Sequence, residues 1–404
     1  MNILFLDQSG HLGGAELSLA DVAESHRDRC LVGLFADGPF RAHLEKRSIP
    51  NTVLVHNTIQ IKRSSGWIHS LSQTYFLLPC ILQVAKLARS YDLIYANTQK
   101  ALVIGGLASR LACRPLVYHL RDILSAEHFS TANRFIAIKI ANYCASLVLA
   151  NSEATRSAFI AAGGQPNITQ VVYNGFIPEQ YQIDADSTNQ LKHQLGLKDD
   201  QFIVGHFSRL SPWKGQHVLL KALAKCPEQI VTLLVGDALF GEQEYVQQLQ
   251  QQVIDLGLEN RVHFLGFRSD VPQLMAVCDL IAHTSIAPEP FGRVIVEGML
   301  CDRPVIATRA GGATELIESG KTGWMCTPND ADQLAAKILY CYHHPCQTAA
   351  IAHEGKRQAS QRFNLQFTNQ VIDQHLDSVL QQSQKISPLR KAMPSNTLFN
   401  QSTF

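Results

Sequence analysis

Ten short apolar runs constrain the fold more than any other feature of this chain. Ile3–Leu6, Leu31–Phe35, Leu93–Tyr95, Leu116–His119 and Leu147–Ala150 form one series. Phe202–Phe207, Val231–Val235, Val262–Leu265, Leu280–Ala282 and Val305–Ala307 form a second. The runs are strand-length and do not alternate with polar residues. Longer stretches of helical pattern separate them. Such strands are buried on both faces, which implies parallel sheets covered by helices. Two series imply two doubly wound, Rossmann-like α/β domains. The 404 residues suffice for two domains, and the 46% apolar content supplies their cores.

The first domain is expected over residues 1–184 and the second over 185–364. The polar stretch Glu179–Ser187 lacks strand pattern, and the linker is placed across 179–200. A helix over 365–382 is expected to pack back toward the first domain, followed by a flexible tail, 383–404. Ligands of open parallel sheets lie beyond the carboxyl ends of the strands, so the domains are expected to face each other across a cleft lined by strand-to-helix loops.

Several function classes fall away. Lys and Arg total 35 against 34 Asp and Glu, a net charge of +1, which argues against nucleic acid as a partner. Ten cysteines show no CxxC pair, and buried reduced thiols are expected. Met1–Asp7 lacks the basic start of a signal peptide, and no stretch approaches the ~20 apolar residues of a membrane span. A cytoplasmic protein is therefore expected.

The remaining chemistry falls on loops after strands. Pro288-Glu289-Pro290-Phe291-Gly292-Arg293-Val294-Ile295-Val296-Glu297 opens a helix. First-turn N–H groups of Arg293, Val294 and Ile295 can bind an anion there, aided by the helix dipole. Glu289 and Glu297 are suited to sugar hydroxyls and a ribose diol. The structural alternative is a helix-entry acid and a solvated helix residue. Ser208-Arg209 and Lys214-Gly215 place two cations on one loop, where they suit a diphosphate. Ser9-Gly10-His11-Leu12-Gly13-Gly14-Ala15-Glu16 lets backbone approach a ligand but lacks GxGxxG spacing, and a plain tight turn fits it equally well. His119 ends a strand and is followed by Arg121-Asp122, a polar cluster that is either catalytic or structural. Gly311-Gly312 with Glu315 fits a turn and helix entry. Gly266-Phe267-Arg268 is a candidate nucleobase flank.

No metal is expected. Asp184-Ala185-Asp186 and Asp330-Ala331-Asp332 follow no buried strand and read as linker and helix cap. Residues 46–91 hold six basic residues and no acid, with Trp67, Leu71, Tyr75, Leu78 and Leu82 at helical spacing. A core-facing helix interrupted at Pro79 is the favoured reading. Peripheral contact with the inner membrane face is the alternative.

Taken together, Glu289 to Glu297 resembles the E-x7-E signature of glycosyltransferase family 4, the group 1 glycosyl transferases of GT-B fold. Ser208-Arg209-Leu210 with Lys214-Gly215 resembles its phosphate loop, Gly13-Gly14-Ala15-Glu16 its N-terminal glycine loop, and Asn174-Gly175 its segment before the linker. The resemblance implies a retaining hexosyltransferase using a UDP-, GDP- or ADP-linked sugar and no other cofactor. A saccharide or lipid-linked acceptor on the N-terminal side, and a place in polysaccharide or glycoconjugate synthesis, are also implied. It implies further that Glu289 and His119 serve the reacting sugar. Arg209, Lys214, Glu297, Gly13, Gly14, Phe291, Gly292, Val294 and Arg268 would bind the donor. A sugar-nucleotide epimerase on the same fold, or a non-catalytic sugar-nucleotide-binding protein, are the rival readings.

Overall fold

The computed structural model describes residues 1–54, 68–124, 129–239 and 241–391, with backbone alone for 68–76 and 385–391. All ten expected strands are present. β1 (Ile3–Asp7), β2 (Cys30–Leu34), β3 (Asn51–Val53), β4 (Leu93–Ala96), β5 (Leu116–Leu120), β6 (Ala145–Ala150) and β7 (Thr169–Val171) form a sheet of order β3-β2-β1-β4-β5-β6-β7. β8 (Phe202–Phe207), β9 (Ile230–Val235), β10 (Val262–Gly266), β11 (Leu280–His283), β12 (Val305–Thr308) and β13 (Trp324–Cys326) form a second, of order β10-β9-β8-β11-β12-β13. Pairing is parallel across β3-β2-β1-β4-β5 and throughout the second sheet, with Ile3 opposite both Cys30 and Leu93, and Ile281 opposite both Gly205 and Val305. β3, β7 and β13 were not expected. Each has only three residues, too few to carry a pattern.

The apolar runs are continuous because both faces are covered. In the second sheet Ile203, Leu233 and Ile281 enter one core with Phe291 and Ile295, while Val204, Leu234 and Leu280 enter another with Leu219 and Trp324. Alternate residues of one strand thus reach opposite cores. In the first sheet Ile3, Leu4, Phe5 and Leu6 are all fully buried.

The chain divides into two compact units. One comprises Met1–His119, Lys139–Leu149 and the chain from Gln370 onward, and the other comprises Leu120–Ile138 and Ala150–Asn369. The second unit therefore takes residues 150–184 as well as those after 185. The segment expected as linker holds two helical pieces, Pro178–Tyr181 and Ala185–Gln194. Asp184 caps the latter, accepting the Ser187 N–H at 2.8 Å. That helix buries none of its residues fully, so no apolar stripe announced it. Asp330 caps Ala331–His343 in the same way. The last helix, Leu365–Lys391, runs past its expected end at 382.

The helix Ile68–Ala88 continues through Pro79 instead of breaking there. Its buried face is Cys80, Ile81, Val84, Ala85 and Ala88, packed on the helix Gln99–Ala112, and this packing outweighs the missing N–H. The expected core stripe is displaced: Leu78 and Leu82 are 58% and 53% exposed. Lys62, Arg63 and Trp67, and the side chains of Leu71 and Tyr75, lie outside the described residues.

Both sheets reverse strand order at one point, between β1 and β4 and between β8 and β11. At the second reversal the loops meet at backbone distance. Gly215 has φ +73°, and a Cβ there would lie 2.0 Å from the Thr284 carbonyl oxygen. Backbone cannot yield as a flexible side chain would. Gly215→Ala should therefore lower the unfolding free energy by on the order of 3 kcal/mol, measured by urea denaturation.

Candidate functional site

The reversal in the second sheet joins two of the motif loops. Lys214, on the loop after β8, places Nζ 3.0 and 2.7 Å from the two carboxylate oxygens of Glu289, on the loop after β11. Both side chains are largely buried, at 15% and 12% exposure. His283 Nε2 lies 3.2 Å, and the Ser285 hydroxyl donates at 2.9 Å, to Glu289 Oε2. Burial would raise the Glu289 carboxyl, but the Lys214 ammonium and His283 override it and hold the group well below the usual carboxylate range.

The glycines set this loop. Gly311, at φ +61°, and Gly312 lie against its backbone. Added Cβ atoms would sit 2.3 Å from the Glu289 carbonyl oxygen and 2.4 Å from that of Pro290. The Gly312 N–H donates to the Glu289 carbonyl at 2.7 Å. From the other side, Ser152 and Thr155 hydroxyls donate to the Pro290 carbonyl, at 2.5 and 3.2 Å. Glu315 accepts the first two N–H groups of the helix Glu153–Ala161, at 2.9 and 2.8 Å, and the Tyr173 hydroxyl at 2.9 Å. Glu315 is thus a helix-capping carboxylate. Burial and this bond push the Tyr173 hydroxyl up to about 12.

Behind the pair, the Thr284 hydroxyl contacts the Lys214 and Gly215 carbonyls at 2.9 and 3.0 Å. His206 Nε2 meets that hydroxyl at 2.9 Å. Burial, with His283 and Lys214 nearby, pushes His206 down to about 3, so it is a neutral buttress at neutral pH.

The remaining donor candidates have definite partners. Glu297 is 8% exposed and accepts from Tyr181 Oη at 3.5 Å and Arg293 Nε at 3.2 Å on one oxygen. The Arg293 guanidinium also lies 4.5 Å over the Phe176 ring. Gly292 supplies the φ of +96° that turns the loop into the helix Arg293–Leu300. Val294 is in its first turn. Ile295 is not a free donor as expected, because its N–H bonds the Gly292 carbonyl at 3.0 Å. Arg209 lies 3.5 Å from Glu242, whose other oxygen accepts the Ser211 hydroxyl at 2.7 Å. Arg268 is held by Asp270 at 2.8 and 2.5 Å.

Phe291, expected among the donor-binding residues, is packed inward. Its ring is 2% exposed and sits among Tyr173, Phe176 and Phe363, stacked on Phe176 at 6.3 Å. Its side chain is core and anchors the loop.

In the first unit, Gly13 caps the helix Gly14–Glu24, and a Cβ there would meet Glu16 at 2.8 Å. Asn97, after β4, donates to Asp7 at 2.7 Å and to the Ala15 carbonyl at 3.2 Å, which fixes the glycine loop. His119 Nδ1 is hydrogen-bonded to the Tyr95 hydroxyl. Arg121, in the second unit, donates to Asn174 at 2.7 Å. Sequence reasoning missed His283, Ser285, Glu242 and Asn97. For the first two the available signal was a polar i, i+2 pair at the end of an apolar strand.

The family model for group 1 glycosyl transferases matches residues 187–358, and that for glycosyltransferase family 4 matches 12–180. A crystal structure of Anabaena HepE in complex with UDP-glucose is 55% identical at a TM-score of 0.88, and the match covers 94% of this chain and 100% of that one. This chain belongs to the family 4, group 1 glycosyltransferases. The N-acetyl-alpha-D-glucosaminyl L-malate synthase of Bacillus anthracis is 38% identical over 172 residues, 42% of this glycosyltransferase and 43% of its relative. Sucrose-phosphate synthase of Thermosynechococcus elongatus, 19% identical over 94% of this chain and 98% of its own, shares the fold at a TM-score of 0.79. Among the described residues no helix is long and apolar enough to cross a membrane.

Phe291→Leu should lower the thermal midpoint of the glycosyltransferase and leave nucleotide affinity within about twofold, because the ring packs on aromatics. Lost affinity with an unchanged midpoint in a melting and calorimetry pair would return Phe291 to the binding site.

Proposed function

We propose that this glycosyltransferase moves a hexose from a uridine diphosphate sugar to a saccharide or lipid-linked acceptor with retention of anomeric configuration. The observation that carries the reading is the Lys214–Glu289 pair at the strand-order reversal, where doubly wound sheets take their ligands. UDP-glucose in HepE, at 55% identity, supports the nucleotide and sugar class.

In this reading Arg209 and Lys214 meet the diphosphate. An ammonium has three N–H groups, and those not on Glu289 serve a phosphate oxygen. Glu297 takes the ribose, with the Arg293 and Val294 end of the helix dipole beside the diphosphate. Gly292 lets the backbone turn toward it, and Arg268 flanks the base. Glu289, kept ionised, accepts hydrogen bonds from donor-sugar hydroxyls. The sugar–phosphate bond breaks as the acceptor oxygen bonds the same face of the anomeric carbon, and the departing phosphate takes the acceptor proton. No protein nucleophile and no metal is required, since cationic side chains compensate the leaving charge.

Calorimetry with EDTA present should show binding of UDP in preference to GDP and ADP. Arg209→Ala and Glu297→Ala should each weaken it about tenfold or more. Glu289→Ala should cut turnover more than binding. UDP affinity unchanged in both Arg209→Ala and Glu297→Ala would remove the site.

We further propose peripheral contact of the first unit with anionic lipid. Leu78 and Leu82 on Ile68–Ala88, and Leu107 and Leu111 on the packed helix Gln99–Ala112, are 41–58% exposed, with Lys86 and Arg110 exposed on the same two helices and Arg89 exposed in the turn after the first. Exposed apolar side chains and cations on one helix pair fit an anionic interface. The protein should sediment with phosphatidylglycerol vesicles but not with phosphatidylcholine vesicles, and Leu78→Glu/Leu82→Glu should abolish this. Equal recovery with both lipids, or none, would contradict it.

A further inference from the structure

We propose that His283, together with Ser285, is a positioning residue that fills one oxygen of Glu289 so that the other is presented to the donor sugar. This rests on the reading of Glu289 as the carboxylate that contacts that sugar.

The two oxygens of Glu289 are treated unequally. Oε2 receives Lys214 Nζ at 2.7 Å, the Ser285 hydroxyl at 2.9 Å and His283 Nε2 at 3.2 Å. Oε1 receives Lys214 Nζ at 3.0 Å and no other contact among the described residues. A carboxylate oxygen has about two lone-pair sites. Oε2 is therefore saturated, and Oε1 retains acceptor capacity. Only Oε1 can take a hydroxyl of an incoming sugar without displacing a protein donor.

The strand produces this asymmetry. β11 ends at His283, and residues two apart in extended chain point to one side. His283 and Ser285 turn to Glu289, and the Ser285 hydroxyl also lies 3.3 Å from His283 Nε2. Thr284 turns the other way, to the Lys214 and Gly215 carbonyls. One short segment thus fixes the carboxylate with two side chains and the cation's loop with the third. His283 is 6% exposed, so water cannot readily replace its bond.

Every donor on Oε2 favours the ionised carboxylate. The titratable groups around it are Lys214 from the loop after β8, His283 from β11, and His206 from β8, which lies behind Thr284. Taking away the His283 donor removes one stabiliser of the charge and one constraint on the carboxylate's orientation, so turnover falls while nucleotide binding does not. Returning an N–H donor returns turnover, which would not hold for a residue that only fills space.

The experiment follows UDP release from UDP-glucose by the full chain, beside calorimetric UDP binding. His283→Leu should lower kcat about tenfold or more and leave UDP affinity within about twofold. His283→Gln keeps an N–H donor near the Nε2 position and should restore kcat to within about threefold. Ser285→Ala, a change too small to threaten folding, should lower kcat by less, again with UDP affinity kept. Unchanged kcat in both His283→Leu and Ser285→Ala would overturn the proposal, as would parallel loss of UDP binding and turnover, or a His283→Gln enzyme as impaired as His283→Leu. Glu289→Gln separates the two claims. Wild-type kcat in that variant would remove the reading of Glu289 itself. An inactive Glu289→Gln beside unaltered His283→Leu and Ser285→Ala would remove the positioning role alone.

Discussion

The buried contact between Lys214 and Glu289 is the interaction around which the rest of the second unit is arranged. Desolvating two opposite charges is costly, and a buried pair survives only where geometry and extra hydrogen bonds compensate. The compensation is visible residue by residue. Ser285 and His283 donate to the carboxylate, and Thr284 holds the carbonyls of the lysine's own loop. The glycines follow from the same requirement. Gly215, Gly311 and Gly312 stand where loops from three strands touch backbone to backbone, and any Cβ would force them apart. Once those loops separate, the pair opens and two charges are left partly desolvated.

The carboxylate's loop is fixed at a second level by apolar packing and helix capping. Phe291 plugs the loop into an aromatic cluster with Tyr173, Phe176 and Phe363. Ser152 and Thr155 hold the Pro290 carbonyl, and Glu315 completes the same helix terminus. A preorganised acceptor needs such support, since a carboxylate free to rotate would lose orientation with every donor that binds.

The strands were legible because parallel sheets buried on both faces leave uninterrupted apolar runs, and stretches such as Ile3–Leu6 or Phe202–Phe207 are too short and too apolar to suit a surface helix or a loop. The motif loops were legible because glycine, proline and charge cluster after those runs. Partner choice was not. Nothing local shows that Lys214 would meet Glu289, 75 positions away, or that Arg209 would meet Glu242. Phe291 looked like part of a binding motif because its neighbours are. Only three-dimensional packing shows it to be core. The helix Ala185–Gln194 was hidden because it buries no residue fully, and Leu78 and Leu82 because helical spacing does not reveal which face is inward.

Coupling between Lys214 and Glu289 is the central physical claim. A double-mutant cycle of Lys214→Met, Glu289→Gln and the combined variant, read by urea denaturation and by UDP release from UDP-glucose, measures it directly. Strong non-additivity is predicted: Lys214→Met alone should destabilise by about 3 kcal/mol or more because it strands a buried carboxylate, and adding Glu289→Gln should recover much of that loss while turnover stays abolished. Additive stability changes, or a Glu289→Gln enzyme that turns over normally, would contradict it.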